Sequence, residues 1–169
     1  MDLQIGTASF GNKYGILNSQ LLNNKSEIKS ILEYCAQKKI ILDSSPNYGL
    51  SLKYINMLSK DIKSTINTKI IIGKNTLREF EINLIKHLDS LDNCAINTIY
   101  FHEPKASHHS KFPEIVEITK QISEKYNVKY IGLSIYKPDD FKSSNFINNS
   151  INCIQIPINI LDKKNINIT

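Results

Sequence analysis

The chain alternates short apolar runs with longer stretches in which apolar residues recur every three or four positions. The short runs predict β-strands, and the helical spacing predicts amphipathic helices between them. The predicted strands are 3–6, 40–43, 69–73, 98–101, 130–133 and 153–156. The predicted helices are 26–38, 51–60, 77–91, 112–125 and 138–146, with Ser26 as the N-cap of the first. This order describes about six β/α units in 169 residues.

Alternation of this kind predicts a parallel sheet covered by helices, either doubly wound or a (β/α)8 barrel. A doubly wound sheet usually carries the spacing G-x-G-x-x-G after its first strand, which the segment 6–11 lacks. Polar residues instead lie at the ends of nearly every predicted strand, as in a barrel with catalytic groups on one rim: Thr7, Asp43, Lys74, His102, Ser134 and Gln155. We therefore predict an α/β fold, an incomplete (β/α)8 barrel of about six units. Residues 1–169 would form the N-terminal portion of one barrel domain.

Composition excludes several classes of protein. No apolar run approaches the roughly 18 residues of a membrane-spanning helix, so no membrane partner is expected. The net charge of +5 is almost all lysine, with Arg78 as the single arginine, which indicates a solvated surface rather than a nucleic-acid interface. The three cysteines are odd in number and scattered, and the N-terminus lacks the pattern of a secretory signal. A reducing, cytoplasmic location follows.

The residues at the predicted strand ends form a candidate catalytic set. Asp43 and Lys74 each end an apolar run, and because a lone buried ion is costly, they are expected to pair. Tyr48 lies in a turn-rich loop just after Asp43. A lysine beside its phenol would lower the phenol pKa from near ~10 and make it a usable proton donor. His102 follows the predicted strand 98–101, which comes after the one that Lys74 ends. Its imidazole can hydrogen-bond to the same group as the phenol of Tyr48.

A metal site is not expected. His108 and His109 follow His102 closely, but they lie in a polar segment. No cysteine or carboxylate stands beside them at the spacing that metal ligation needs. A surface loop is the better interpretation of these two histidines.

Six segments carry motifs in a fixed order, at positions 5–11, 43–49, 73–74, 100–104, 132–138 and 154–159. Together they resemble the aldo-keto reductases, from the first residues to about Asp162. The resemblance implies an NADPH-dependent reduction of an aldehyde or ketone to an alcohol, with a small carbonyl compound as substrate and no metal. By resemblance, Tyr48 is the general acid, Lys74 the lysine that tunes it, Asp43 the carboxylate that holds this lysine, and His102 the group that orients the substrate carbonyl.

The resemblance also implies a cofactor site. Ser134 and Gln155 match side chains that hold the nicotinamide carboxamide, and Thr7 lies where the first-strand loop touches the cofactor. Ile135 stands where the family often has asparagine. The family's seventh and eighth strands, its nicotinamide-stacking aromatic residue and its substrate-selecting loop have no counterpart before Thr169.

Two further interpretations stay open. The chain is expected to cover roughly three-fifths of such an enzyme, so it is alternatively a non-catalytic remnant. A remnant would not bind NADPH tightly and would self-associate through its unpaired barrel edges. Another barrel enzyme, such as a phosphate-binding isomerase, also fits the alternation of strands and helices.

Overall fold

A computed structural model describes residues 3–14, 24–103, 105–140 and 150–158. These ranges contain six strands: β1 (Gln4–Gly6), β2 (Ile41–Asp43), β3 (Thr65–Ile70), β4 (Ala95–Phe101), β5 (Tyr130–Ser134) and β6 (Cys153–Gln155). Four helices alternate with them: α1 (Lys25–Lys38), α2 (Ser51–Leu58), α3 (Leu77–Asp89) and α4 (Phe112–Lys125). None of the helices in these ranges is long and apolar enough to cross a membrane.

The strands form one sheet in the order β1-β2-β3-β4-β5-β6, so that each strand neighbours the next strand along the chain. The pairs β1–β2, β2–β3, β4–β5 and β5–β6 are parallel. Parallel neighbours joined through helices are the pattern of a β/α barrel. The predicted fold, an incomplete (β/α)8 barrel of about six β/α units, is confirmed.

The chain divides into two compact units. The first consists of Met1–Lys69 and Lys86–Asn97, and the second of Ile70–Ile85 and Thr98–Thr169. The first unit therefore contains β1, α1, β2, α2 and nearly all of β3. The second contains most of β4 together with α4, β5 and β6, and α3 contributes residues to both.

Helix α1 begins one residue before the predicted start. Its N-cap is Asn24, whose side chain accepts hydrogen bonds from the backbone N–H groups of Ser26 (3.0 Å) and Glu27 (3.5 Å). The expectation that Ser26 is the cap is wrong, because Ser26 lies in the first turn and its hydroxyl donates to Asn24 at 2.7 Å. The buried side of the helix carries Ile28, Leu32 and Cys35, as the spacing predicts.

Strand β3 begins four residues earlier than predicted and ends at Ile70, the first residue of the isoleucine run, rather than at residue 73. Asn67 and Lys69 lie inside the strand and are buried. Both have polar partners, since Asn97 donates to Asn67 and Lys69 donates to Asp43. A prediction from apolar runs discounts such polar positions, although pairing allows them to be buried.

The second unit has an aromatic centre. The ring of Phe101 on β4 lies 6.4 Å from that of Phe80 and 5.3 Å from that of Phe112, measured between centroids. The last predicted helix begins as a 3₁₀ turn over Pro138–Asp140, and residues 141–149 lie outside the described part of the chain.

Candidate active site

A buried ion pair lies at the carboxyl end of β2. The ammonium of Lys69 donates to both carboxylate oxygens of Asp43, at 2.6 and 2.7 Å. The Lys69 side chain is 2% exposed and that of Asp43 is 13% exposed. Burial lowers the pKa of Lys69 below its usual range, and the charge and hydrogen bonds of Asp43 oppose this change. A bidentate pair in this setting holds the lysine in one position.

The lysine paired with Asp43 is therefore not the one expected from the sequence. Lys74 lies exposed in the turn after β3. The expected pairing of Asp43 with Lys74 is wrong because it placed the end of the strand at residue 73, whereas β3 ends at Ile70. Lys69 is two residues beyond Asn67, which is aligned with Asp43 in the sheet. It therefore projects on the same side of the strand as Asn67.

Tyr48 lies in the loop that joins β2 to α2. The ammonium of Lys69 is 5.4 Å from the centroid of its ring. Two backbone hydrogen bonds of 3.0 Å fix the loop, from Tyr48 to the carbonyl of Ser45 and from Ser51 to the carbonyl of Tyr48. The first unit thus brings together a phenol, a cation and a carboxylate. A positive charge beside a phenol favours loss of the phenolic proton, which is what a proton donor to substrate requires.

His102 follows β4 in the second unit, and its backbone N–H donates to the carbonyl of Ile70 at 2.8 Å. The next residue, Glu103, holds the same region through its carboxylate. It accepts hydrogen bonds from the backbone N–H groups of Ile72 (2.5 Å) and Gly73 (3.0 Å). The backbone at the half-buried His102 is therefore held by two interactions, the hydrogen bond of its own N–H group and those of the Glu103 side chain. The resemblance gave no role to Glu103.

Ser134 and Gln155 end β5 and β6, as expected, and they are aligned with each other in the parallel sheet. Ser134 is 8% exposed, and the backbone N–H of Ile135 donates to the carbonyl of Gln155 at 3.0 Å. The second unit thus places a hydroxyl and a carboxamide side by side at the ends of two neighbouring strands. Ile135 is 1% exposed and offers no polar side-chain atom there.

Thr7 is fully buried. Its hydroxyl donates to the backbone carbonyl of Asp43 at 3.0 Å and accepts a hydrogen bond from Ser51 at 2.8 Å. The side chain expected to contact a cofactor is thus hydrogen-bonded between the loops that follow β1 and β2.

The sequence analysis gave no role to His87, a half-buried histidine on α3. The Nε2 atom of His87 lies 2.8 Å from the hydroxyl of Thr68, and burial lowers the pKa of His87 to about 4. His87 is three positions after the buried Leu84, and residues at this spacing share a helix face, so the spacing contained a signal for its partial burial. Across the described ranges, no three His, Cys, Asp or Glu side chains group as metal ligands.

Comparison with solved structures identifies the fold. A protein from Pseudomonas aeruginosa assigned to the aldo-keto reductases matches 98% of the chain with a TM-score of 0.76 and 15% identity. A thermostable aldo-keto reductase in complex with the inhibitor epalrestat matches 96% (TM-score 0.68, 17% identity). An aldo-keto reductase from Brucella melitensis matches 92% (TM-score 0.62, 16% identity). The fold is that of the aldo-keto reductases.

The chain spans 66%, 60% and 58% of the lengths of these three aldo-keto reductases. Comparison with protein-family models and with curated proteins yields no match. The likeness to the aldo-keto reductases at this level of identity is a likeness of fold.

Proposed function

We propose that the chain is an aldo-keto reductase-like oxidoreductase that reduces a small aldehyde or ketone to an alcohol with NADPH, with Tyr48 as the general acid. The observation that carries the proposal is the buried ion pair between Lys69 and Asp43 beside the ring of Tyr48. Such a pair is costly to bury, and buried charges of this kind cluster at functional sites. Lys69 takes the role that the sequence assigned to Lys74.

The residues present fit a nicotinamide cofactor. Ser134 and Gln155 lie side by side at the ends of β5 and β6. Their hydroxyl and carboxamide groups both donate and accept hydrogen bonds, as a nicotinamide carboxamide requires. In this proposal these two residues hold the carboxamide, and bound NADPH supplies the hydride. The proposal does not include a contact between the Thr7 hydroxyl and the cofactor, because that hydroxyl bonds to Asp43 and Ser51.

Each protein group has a separate role in the proposed reaction. Tyr48 donates its phenolic proton to the carbonyl oxygen of the substrate as negative charge develops there. The ammonium of Lys69 favours loss of that proton, and Asp43 keeps the ammonium charged and fixed. His102 donates a hydrogen bond that orients the carbonyl.

The proposed location is the reducing cytoplasm, which suits the free thiols of Cys35, Cys94 and Cys153.

Replacement of Tyr48 tests the proposal. Carbonyl-dependent oxidation of NADPH is followed by absorbance with a panel of small aldehydes and ketones. Tyr48→Phe removes the proton donor and is expected to lower kcat by about 100-fold or more. Tyr34→Phe is the matched control, because Tyr34 is 56% exposed on α1. Equal turnover of wild type and Tyr48→Phe would contradict the role of Tyr48.

The second candidate function is a non-catalytic remnant of such a barrel. The exposed apolar residues Leu3 (67%) and Ile5 (37%) at the end strand β1 favour it. A remnant is expected to bind NADPH weakly or not at all, whereas the oxidoreductase is expected to show saturable binding of NADPH. Fluorescence titration of the 169-residue chain with NADPH separates the two.

A further inference from the structure

Three hydroxyl groups form a buried chain in the first unit. They belong to Thr7 after β1, Ser44 after β2, and Ser51 at the start of α2, and all three residues have no exposed surface. The hydroxyl of Ser51 lies 2.8 Å from that of Thr7 and 3.0 Å from that of Ser44. The hydroxyl chain thus links the residue after β1 to both ends of the loop between β2 and α2.

The direction of these hydrogen bonds follows from counting protons. Each hydroxyl has one proton to donate. Thr7 gives its proton to the backbone carbonyl of Asp43, at 3.0 Å, so Ser51 must donate to Thr7. The proton of Ser51 is then used, and Ser44 must donate to Ser51. The hydroxyl chain therefore runs one way, from Ser44 to the carbonyl of Asp43.

Ser44 and Ser51 are also the two ends of the loop that carries Tyr48. Their mutual hydrogen bond closes the base of that loop, residues 45–50, and a loop with fixed ends has fewer conformations. The other end of the chain holds the backbone of Asp43, whose carboxylate binds Lys69. The ammonium of Lys69 in turn lies 3.4 Å from the carbonyl of Ser44.

A typical hydrogen bond contributes about 1 kcal/mol to stability, and the hydroxyl chain contains three hydrogen bonds. What the hydroxyls add is a fixed geometry between the Tyr48 loop and the Asp43–Lys69 pair. Because this inference concerns the proton donor, it rests on the proposed reductase function.

We propose that Thr7, Ser44 and Ser51 are positioning residues that hold Tyr48 beside the Asp43–Lys69 pair. In this role the Thr7 hydroxyl holds the ends of the Tyr48 loop through Ser51 and does not contribute to the affinity for the cofactor.

Kinetics of Thr7→Val distinguish this role from a cofactor contact. Loss of the hydroxyl is expected to lower kcat by roughly tenfold through misplacement of Tyr48, with the Kd for NADPH changed by less than about twofold. Thr7→Ser keeps the hydroxyl and is expected to restore most of kcat. Ser51→Ala, which breaks the same chain from α2, reproduces the effect of Thr7→Val. A rise in the Kd for NADPH with kcat unchanged would overturn the proposal.

Amide hydrogen exchange gives a readout that does not need activity. The amides of Tyr48 and Ser51 are expected to exchange about tenfold faster in Thr7→Val than in wild type, because the base of their loop is no longer fixed. Ser64→Ala is the matched control, since it removes a buried hydroxyl bonded at 2.8 Å to Ser59, away from this loop. Equal exchange in wild type and Thr7→Val would refute the role of the hydroxyl chain. A wild-type chain without turnover would refute the proposed function, and exchange would then decide on the hydroxyl chain by itself.

Discussion

The ammonium of Lys69 loses nearly all of its contact with water in the folded chain, since its side chain is 2% exposed. Two carboxylate oxygens of Asp43 and the carbonyl of Ser44 replace that water. Such a pair gives little net stability as a whole, but removing one member leaves the other charge buried without its partner. Substitution of either Asp43 or Lys69 is therefore expected to lower the stability of the folded chain.

Substitution of lysines tests this asymmetry. Lys69→Met leaves the carboxylate of Asp43 without its cation and is expected to lower the free energy of unfolding by about 3 kcal/mol. Lys74→Met, in the exposed turn, is expected to change it by less than about 0.5 kcal/mol. Urea denaturation at neutral pH measures both. Equal effects of the two substitutions would contradict the assignment of Lys69 as the partner of Asp43.

His87 makes stability depend on pH. Its pKa is lowered to about 4 in the folded chain, so between pH 6.5 and 4 the unfolded chain binds a proton that the folded chain does not. Stability therefore falls as the pH falls through this window. From pH 7 to pH 5, wild type is expected to lose about 2 kcal/mol more than His87→Gln, which no longer titrates. Urea denaturation at both pH values measures the difference.

The matched control for this measurement is His108→Gln, because His108 is exposed in the 3₁₀ turn Ala106–His108. It should lose as much stability as wild type between the two pH values. Identical pH dependence in wild type and His87→Gln would show that His87 is not the group responsible.

The sequence was sufficient to find site residues that lie in one continuous motif. Asp43 and Tyr48 lie in one continuous motif, and the structure places both beside the same lysine. Lys69 was missed because the predicted strand 69–73 placed it at the amino end of the strand, whereas it lies next to the carboxyl end of β3. Its burial depends on a carboxylate 26 positions earlier, which only the pairing of β2 with β3 brings close.

At the scale of elements, the start of α1 shows which side chain satisfies the free N–H groups of a helix. Asn24→Ala removes the acceptor of two backbone N–H groups and is expected to cost about 1 kcal/mol of unfolding free energy. Ser26→Ala removes only a hydroxyl that donates to Asn24, so it is expected to cost less than about 0.5 kcal/mol. Thermal or urea denaturation compares them, and a larger effect of Ser26→Ala would restore Ser26 as the cap.

The predicted elements succeed where local pattern and burial agree. Helix α4 has the predicted bounds, Phe112–Lys125, since its proline lies in the first turn and its apolar residues keep strict helical spacing. Strand β3 differs because its first four residues, 65–68, include a single apolar residue, Ile66, so that no apolar run marks its start. The prediction was based on the isoleucines 70–72, of which only Ile70 lies in the strand.

At the scale of the whole molecule, the regular order of strands and helices was sufficient to predict the fold class. Each strand neighbours the next along the chain, so the order of the strands in the sheet is the order in the sequence. The candidate site was predicted less completely, since the roles of Lys69, Thr7 and Glu103 depend on contacts between segments that are distant in sequence.

We propose that the chain self-associates through β1, an end strand of the sheet in the described residues. Leu3 and Ile5 are exposed there, and an end strand presents backbone groups able to pair with another chain. Ile5→Lys is expected to reduce association at micromolar concentration, because a charge on an edge strand opposes pairing. Ile82→Lys is the control, on a residue 41% exposed in α3. Sedimentation velocity over a concentration series measures both, and a wild-type chain that is monomeric throughout would contradict the expectation.

The first compact unit is assembled from two stretches, Met1–Lys69 and Lys86–Asn97, separated by a segment of the other unit. No single cut in the gene can therefore release this unit intact. A product ending near residue 69 would lack the stretch that carries His87, the partner of Thr68. During synthesis, the first unit, which contains the Asp43–Lys69 pair, is complete only after residue 97 has left the ribosome.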